Sequence, residues 1–209
     1  MAVLNKLASA LDRGDEVPNQ VLAKELAETE DLDSIGELAD NLSNSDKAIR
    51  SDCIKVLYEI GDLKPKLISP YVSEFIKLLH SRDNRLVWGG MTALGTIADQ
   101  TAAEIGRQVD VIIESTDRGS VITQDWGIRV LAQVAAKDKV HEQTILSFLK
   151  SFLQKCAAKD LPRHAESCVV AFNTANRGEF ISILEAKKPS LKPAQAKRLE
   201  KVIKQMEAL

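Results

Sequence analysis

Asp46-Lys47-Ala48-Ile49-Arg50, followed by Cys53, Val56, Leu57, Ile60, Gly61 and Asp62, decides the fold. Its apolar members at 49, 53, 56, 57 and 60 recur every three or four residues, the period of a helix with one buried face. Adding 37 to each number finds the pattern again. Ile49 becomes Leu86, Leu57 becomes Leu94, Ile60 becomes Ile97 and Gly61 becomes Ala98. Adding 37 once more gives Leu131, Val134 and Ala135. Cys53, Gly90 and Gly127 share one small-residue position. The preceding segment repeats in the same register: Ile35, Leu38 and Ala39 map onto Val72, Phe75 and Ile76, then onto Val109, Ile112 and Ile113.

Each repeat is therefore an antiparallel helix pair joined by a short polar turn. The turns read Ser43-Asn44-Ser45-Asp46, Ser81-Arg82-Asp83-Asn84 and Asp117-Arg118-Gly119-Ser120. Each offers an Asp, Asn or Ser to accept the free N–H groups of the following helix. Pro70 stands where the first helix of the second pair begins, a position that tolerates its missing N–H. A fourth pair matches at uneven shifts. Ile145, Phe148 and Leu149 follow Val109, Ile112 and Ile113 by 36, whereas Val170 and Ala171 follow Val130 and Leu131 by 40. This places four extra residues in the turn from Ala157 to Arg163.

The two ends of the chain read as caps. Val3–Leu11 with Pro18–Ala27 makes a first pair, and Phe180–Leu184 with Leu191–Met206 a last one. The expected organisation is a single solenoid over 1–209: an acidic N-terminal cap at 1–32, core repeats at 33–175 and a basic C-terminal cap at 176–209. Composition agrees. Of 209 residues 44% are apolar and only 4% aromatic, and Gly and Pro together number 10 + 6 = 16. That balance favours helix over strand. The predicted fold is all-α, a right-handed α-solenoid of five to six stacked helix pairs.

The formal net charge is −2, unevenly spread. Residues 1–46 carry 3 basic and 11 acidic groups, and residues 137–209 carry 14 basic and 8 acidic groups. This gradient permits salt-dependent, head-to-tail self-association as one expectation. The chain lacks the strongly basic footprint of a nucleic-acid binder. No apolar run approaches the ~20 residues of a membrane span. Met1–Asp12 does not read as a secretion signal. Cys53, Cys156 and Cys168 are odd in number and far apart, so no disulfide framework is expected and a reducing cytoplasm is the expected compartment.

The copy beginning at Asp46 resembles a HEAT repeat of the armadillo-like α-solenoid family. That family's second helix opens with Asp, an aliphatic–Arg pair, a small residue, a Leu and a closing small residue. The second copy keeps Asp83, Leu86, Gly90, Leu94, Gly95 and Ala98 but has Val87 for the Arg. The third has Thr123 and Gln124 at the aliphatic–Arg pair. The resemblance covers about residues 33–175 and implies a scaffold that binds a protein or peptide along the face built from its second helices.

With 49, 53, 56, 57 and 60 buried, positions 48, 51, 52, 55 and 59 face outward. Position 51 maps onto Trp88 and Asp125, position 52 onto Gly89 and Trp126, and position 55 onto Thr92 and Arg129. Both tryptophans thus fall on the ridge of adjacent repeats. The candidate partner-binding residues are Trp88, Trp126, Asp125, Arg129, Arg85 and Lys55, with Arg85 close to Lys55 and Asp125 spaced to pair with Arg129. The alternative for each Trp is to fold over a neighbouring helix and fill space beside Gly89, Gly90 or Gly127. No cofactor or metal is expected, because His80, His141 and His164 have no ligand spacing. No phosphate-binding glycine loop or nucleophile elbow is present. Some HEAT-like solenoids are DNA glycosylases that remove alkylated bases with aromatics and one Asp. Asp125, Arg129 and the tryptophans match superficially, but the acidic balance and terminal placement of the basic residues depart from it.

Overall fold

The computed structural model describes residues 3–209, and among them every element is helical. Residues 1 and 2 of the expected N-terminal cap lie outside the described residues. The helices are α1 (Val17–Thr29), α2 (Leu32–Asp40), α3 (Lys47–Leu63), α4 (Val72–Leu78), α5 (Asn84–Ile97), α6 (Ala102–Gly106), α7 (Val109–Arg118), α8 (Val121–Lys137), α9 (Glu142–Lys155), α10 (Leu161–Cys168), α11 (Arg177–Lys187) and α12 (Pro193–Glu207). The chain forms two compact units, one ending at Thr101 and the other running from Ala102 to Leu209.

The three polar turns act as the sequence requires. Asp46 accepts from the N–H of Ala48 at 2.7 Å, Asp83 from Arg85 at 3.0 Å and Ser120 from Thr123 at 3.4 Å. Each satisfies a donor that the first helical turn leaves free. Arg50 adds a second clamp, with Nη1 donating to the carbonyls of Asn44 and Ser45 at 2.5 and 3.1 Å. This is the work of the Arg in the Asp46 copy.

In the first unit α1 and α2 pack on α3, α4 packs on α5, and α3 packs on α5. The α3–α5 core joins Cys53, Leu57 and Ile60 to Leu94 and Ile97, all fully buried. Burying each large aliphatic chain contributes ~1.5–3 kcal/mol. In the second unit α7, α9 and α10 surround α8, while α11 and α12 pack on each other and on α9 and α10 respectively. Leu199, Val202, Ile203 and Met206 form the buried stripe of α12.

Two expectations change. Short helical segments precede the pairs: Pro65–Leu67 and Ser69–Tyr71 lead into α4, and α6 leads into α7. Pro65, at the first position of its segment, lacks the N–H an α-helix interior needs, and Ala102 and Ile105 of α6 are buried, so each connection folds as a separate short turn of helix. The fourth repeat also keeps the common period. Gly127, Ile128, Leu131, Val134 and Ala135 are buried, and adding 37 gives His164, Ala165, Cys168, Ala171 and Phe172, buried as well. Val170 is 56% exposed, so the shift of 40 that equated it with buried Val130 is a slip of register. No residues are inserted. α9 ends at Lys155, 37 after the end of α7, and α10 then starts late. Residues 158–160, where the first turn of this helix belongs, form a non-helical turn.

Candidate functional site

In the first unit the candidate residues lie on α3 and α5. Lys55, expected to face outward, is buried, its side chain only 7% exposed. The cause is the chain leading into α1, which lays Glu16 over it. Lys55 Nζ donates to Glu59 at 2.6 Å and lies 2.9 Å from Glu16 Oε2, while Arg85 Nη2 donates to Glu16 Oε1 at 2.6 Å. Glu16 therefore bridges Lys55 and Arg85, which do come together as expected. Burial opposes the ammonium charge, but the Glu59 and Glu16 carboxylates prevail and hold Lys55 above its ordinary value. Lys55 also lies 4.9 Å from the Tyr58 ring centroid, Arg85 lies 5.0 Å from that of Trp88, and the two rings meet at 6.0 Å.

Lys55→Ala should thus leave Glu16 and Glu59 facing each other without their shared cation. Both carboxylates are partly solvated, so the expected loss is about 1–2 kcal/mol, less than for a fully buried pair, read from the urea midpoint.

In the second unit α8 carries Asp125, Trp126 and Arg129. Arg129 stacks over Trp126 at 4.8 Å from the ring centroid. It does not pair with Asp125. α10 packs against α8 and brings Arg163 Nη2 to 2.9 Å from Asp125 Oδ1, so Asp125 turns to that side. Burial raises the Asp125 carboxyl above its ordinary range, against the lowering effect of Arg163. The Nδ1 atom of His164 stands 3.7 Å from Asp125 Oδ1.

Neither Trp fills the space left by a glycine. A Cβ on Gly89 would meet Ile54 at 2.8 Å, one on Gly90 the Phe75 carbonyl at 2.9 Å, and one on Gly127 the Thr116 hydroxyl at 2.0 Å. Other side chains and backbone occupy those gaps, and both indoles remain half-buried on their helices. An Arg lies over each of them.

His164, noted in the sequence only for lacking ligand spacing, is a core position of the fourth repeat. The signal was there: with the register held at 37, it occupies the position of Cys53, Gly90 and Gly127. It is 2% exposed, and burial lowers its pKa to about 4, helped by the nearby Arg163 charge. The thiols are not activated. Burial pushes Cys53 up to about 12 and raises Cys168 further, and it raises Cys156 against the lowering effect of Lys187. Among the described residues no group of three or more His, Cys, Asp or Glu is placed to hold a metal ion. No helix among them is long and apolar enough to cross a membrane.

No family model and no curated protein sequence matches this chain. Solved structures do. A designed armadillo repeat protein in complex with the peptide (KR)4 has a TM-score of 0.69 at 12% identity, over 96% of this chain and 98% of that one. An engineered protein from the Northeast Structural Genomics Consortium gives 0.67 at 19% identity, over 98% of both chains. A computationally designed armadillo repeat protein for modular peptide recognition gives 0.64 at 13% identity, over 97% of both. The fold is that of an armadillo-like helical repeat solenoid.

Proposed function

We propose that this chain is a non-enzymatic repeat scaffold that binds a peptide or protein segment through the exposed faces of its second helices. The observation that carries the reading is the pair of Arg–Trp stacks, Arg85 over Trp88 on α5 and Arg129 over Trp126 on α8. A guanidinium lying on an indole holds the ring in place while leaving one edge to solvent. Trp and Arg are among the residue types that dominate binding energy at protein interfaces. In the first unit Glu16, itself held by Lys55, ties Arg85 in place, so the stack is ordered before a partner arrives. The designed armadillo proteins of the same fold, one complexed with a peptide and another made for peptide recognition, support a peptide as the partner.

The test is selection from a displayed peptide library against the full chain, with affinities measured by fluorescence anisotropy. The double change Trp88→Ala plus Trp126→Ala should weaken selected peptides by at least about tenfold while helical circular dichroism is retained. Equal affinity for wild type and variant, or a library that yields no binder, would overturn the proposal.

A further inference from the structure

The late start of α10 opens a cleft within the second unit. Between α7, α9 and the turn after Cys156 lies a cleft of about 720 Å³. That is the size of small-ligand sites. Its walls are mainly α7, α9 and the turn, with Gln124 of α8 and His164 of α10 completing them; neither Trp lines it, so a ligand bound there is independent of the peptide reading.

The chemistry of the lining is divided. Along one wall Asp110, Glu114 and Asp117 succeed each other on α7 at spacings of four and three, which places them on one face. Against them stand Phe148 and Phe152, with ring centroids 5.9 Å apart, and His164, whose ring meets Phe152 edge to face at 5.2 Å. His164 is buried, yet its Nδ1 makes no hydrogen bond among the described residues, since Asp125 at 3.7 Å is too distant. An unpaired buried nitrogen costs ~1–3 kcal/mol. That nitrogen is shut off from solvent and faces Asp125, which does not line the cleft, so the His164 ring borders the cleft by its other atoms.

The charge balance selects the kind of ligand. Arg118 is tied to Glu114 at 2.6 Å, and Asp160 to Arg163 at 3.0 Å. Lys155 is the other cation of the lining. Asp110 and Asp117 thus remain as exposed carboxylates facing an aromatic surface. Anions are repelled by such a wall. An organic cation gains twice, from the carboxylates and from the ring faces.

We propose that this cleft binds an organic cation with an apolar stem, an alkylguanidinium or alkylammonium, its charge against Asp110 and Asp117 and its stem on Phe148 and Phe152. The His164 ring, edge to face on Phe152, closes the inner end. Two sources carry this chemistry, a free small molecule or an Arg or Lys side chain of a peptide.

The experiment tracks the His164 ring signals of the full chain by NMR during titration with agmatine, butylammonium, an N-acetylated arginine tripeptide, and butylurea, an uncharged analogue in which urea replaces the cationic head. Both cations should shift the His164 signals saturably, and the urea analogue should not. Asp110→Asn plus Asp117→Asn, both on an exposed helix face, should weaken agmatine about tenfold with helicity unchanged, whereas Trp88→Ala should leave it alone. A tripeptide that binds tighter than agmatine identifies a peptide side chain as the source. Agmatine binding as tightly or more tightly identifies a small molecule. The proposal is overturned if neither cation gives a saturable shift at tens of millimolar, if the urea analogue binds equally, or if the double variant binds undiminished.

Discussion

Replacing Gly127 by valine should cost the second unit about 3 kcal/mol or more, read as a lower urea midpoint with helix content retained before the transition. A Cβ on Gly127 would lie 2.0 Å from Thr116 Oγ1 and 2.9 Å from both Thr116 Cβ and Cγ2. Thr116 has little freedom to move. It is fully buried on α7, and its hydroxyl donates to the Ile112 carbonyl at 2.6 Å. Turning that hydroxyl away breaks the bond and leaves Cβ in the same place. Removing a glycine from a helix interior gains about 1 kcal/mol, too little to offset the collision. Gly178 on α11 is the contrast, because a Cβ there meets nothing within 4 Å. Gly178→Ala should be neutral or stabilise by up to about 1 kcal/mol. If Gly127→Val unfolds at the wild-type midpoint, α7 and α8 are not held together at this point.

That glycine also shows how far the sequence carries. A small residue recurring at 53, 90 and 127 amid an apolar period can only be a helix contact, and the helices and their Asp46, Asp83 and Ser120 caps follow from local chemistry. Burial of Lys55 was not legible. Its position on α3 faces outward in any two-helix scheme, and what covers it is Glu16, 55 − 16 = 39 residues earlier. Nothing in a repeat pattern announces a contact from a segment outside the repeat. Asp125 erred for a related reason. The i, i+4 spacing to Arg129 is a local rule worth a few tenths of a kcal/mol, and a guanidinium arriving from α10 displaced it. His164 was lost to similarity of residue type. Matching Val170 with Val130 looked better than matching a histidine with a glycine, yet burial follows the constant shift of 37.

The histidine at a small-residue position carries the second large effect. Between pH 7.5 and pH 4.5 it should cost the folded chain about 2–3 kcal/mol of stability, and His164→Gln should remove most of that dependence. Burial, then the Arg163 charge, lowers the imidazole pKa from 6.5 to about 4, with Asp160 pulling weakly the other way. The unfolded chain takes up this proton near pH 6.5, but the folded chain only near pH 4. Across that window the unfolded state binds more protons, so stability falls as pH falls, and below pH 4 the contribution levels off. Asp125, facing the same ring, has its carboxyl raised by burial and works in the opposite sense at the acid end. The informative quantity is therefore the difference between wild type and His164→Gln in urea unfolding at each pH. Lys155 and Asp160 line the cleft beside the ring and are unchanged in both proteins. A difference that stays constant from pH 7.5 to 4.5 would mean the imidazole titrates alike folded and unfolded, as a solvated group does. Cys53, Gly90 and Gly127 contribute no such slope at these pH values, so the fourth repeat alone among these equivalent positions makes its unit's stability sensitive to protons.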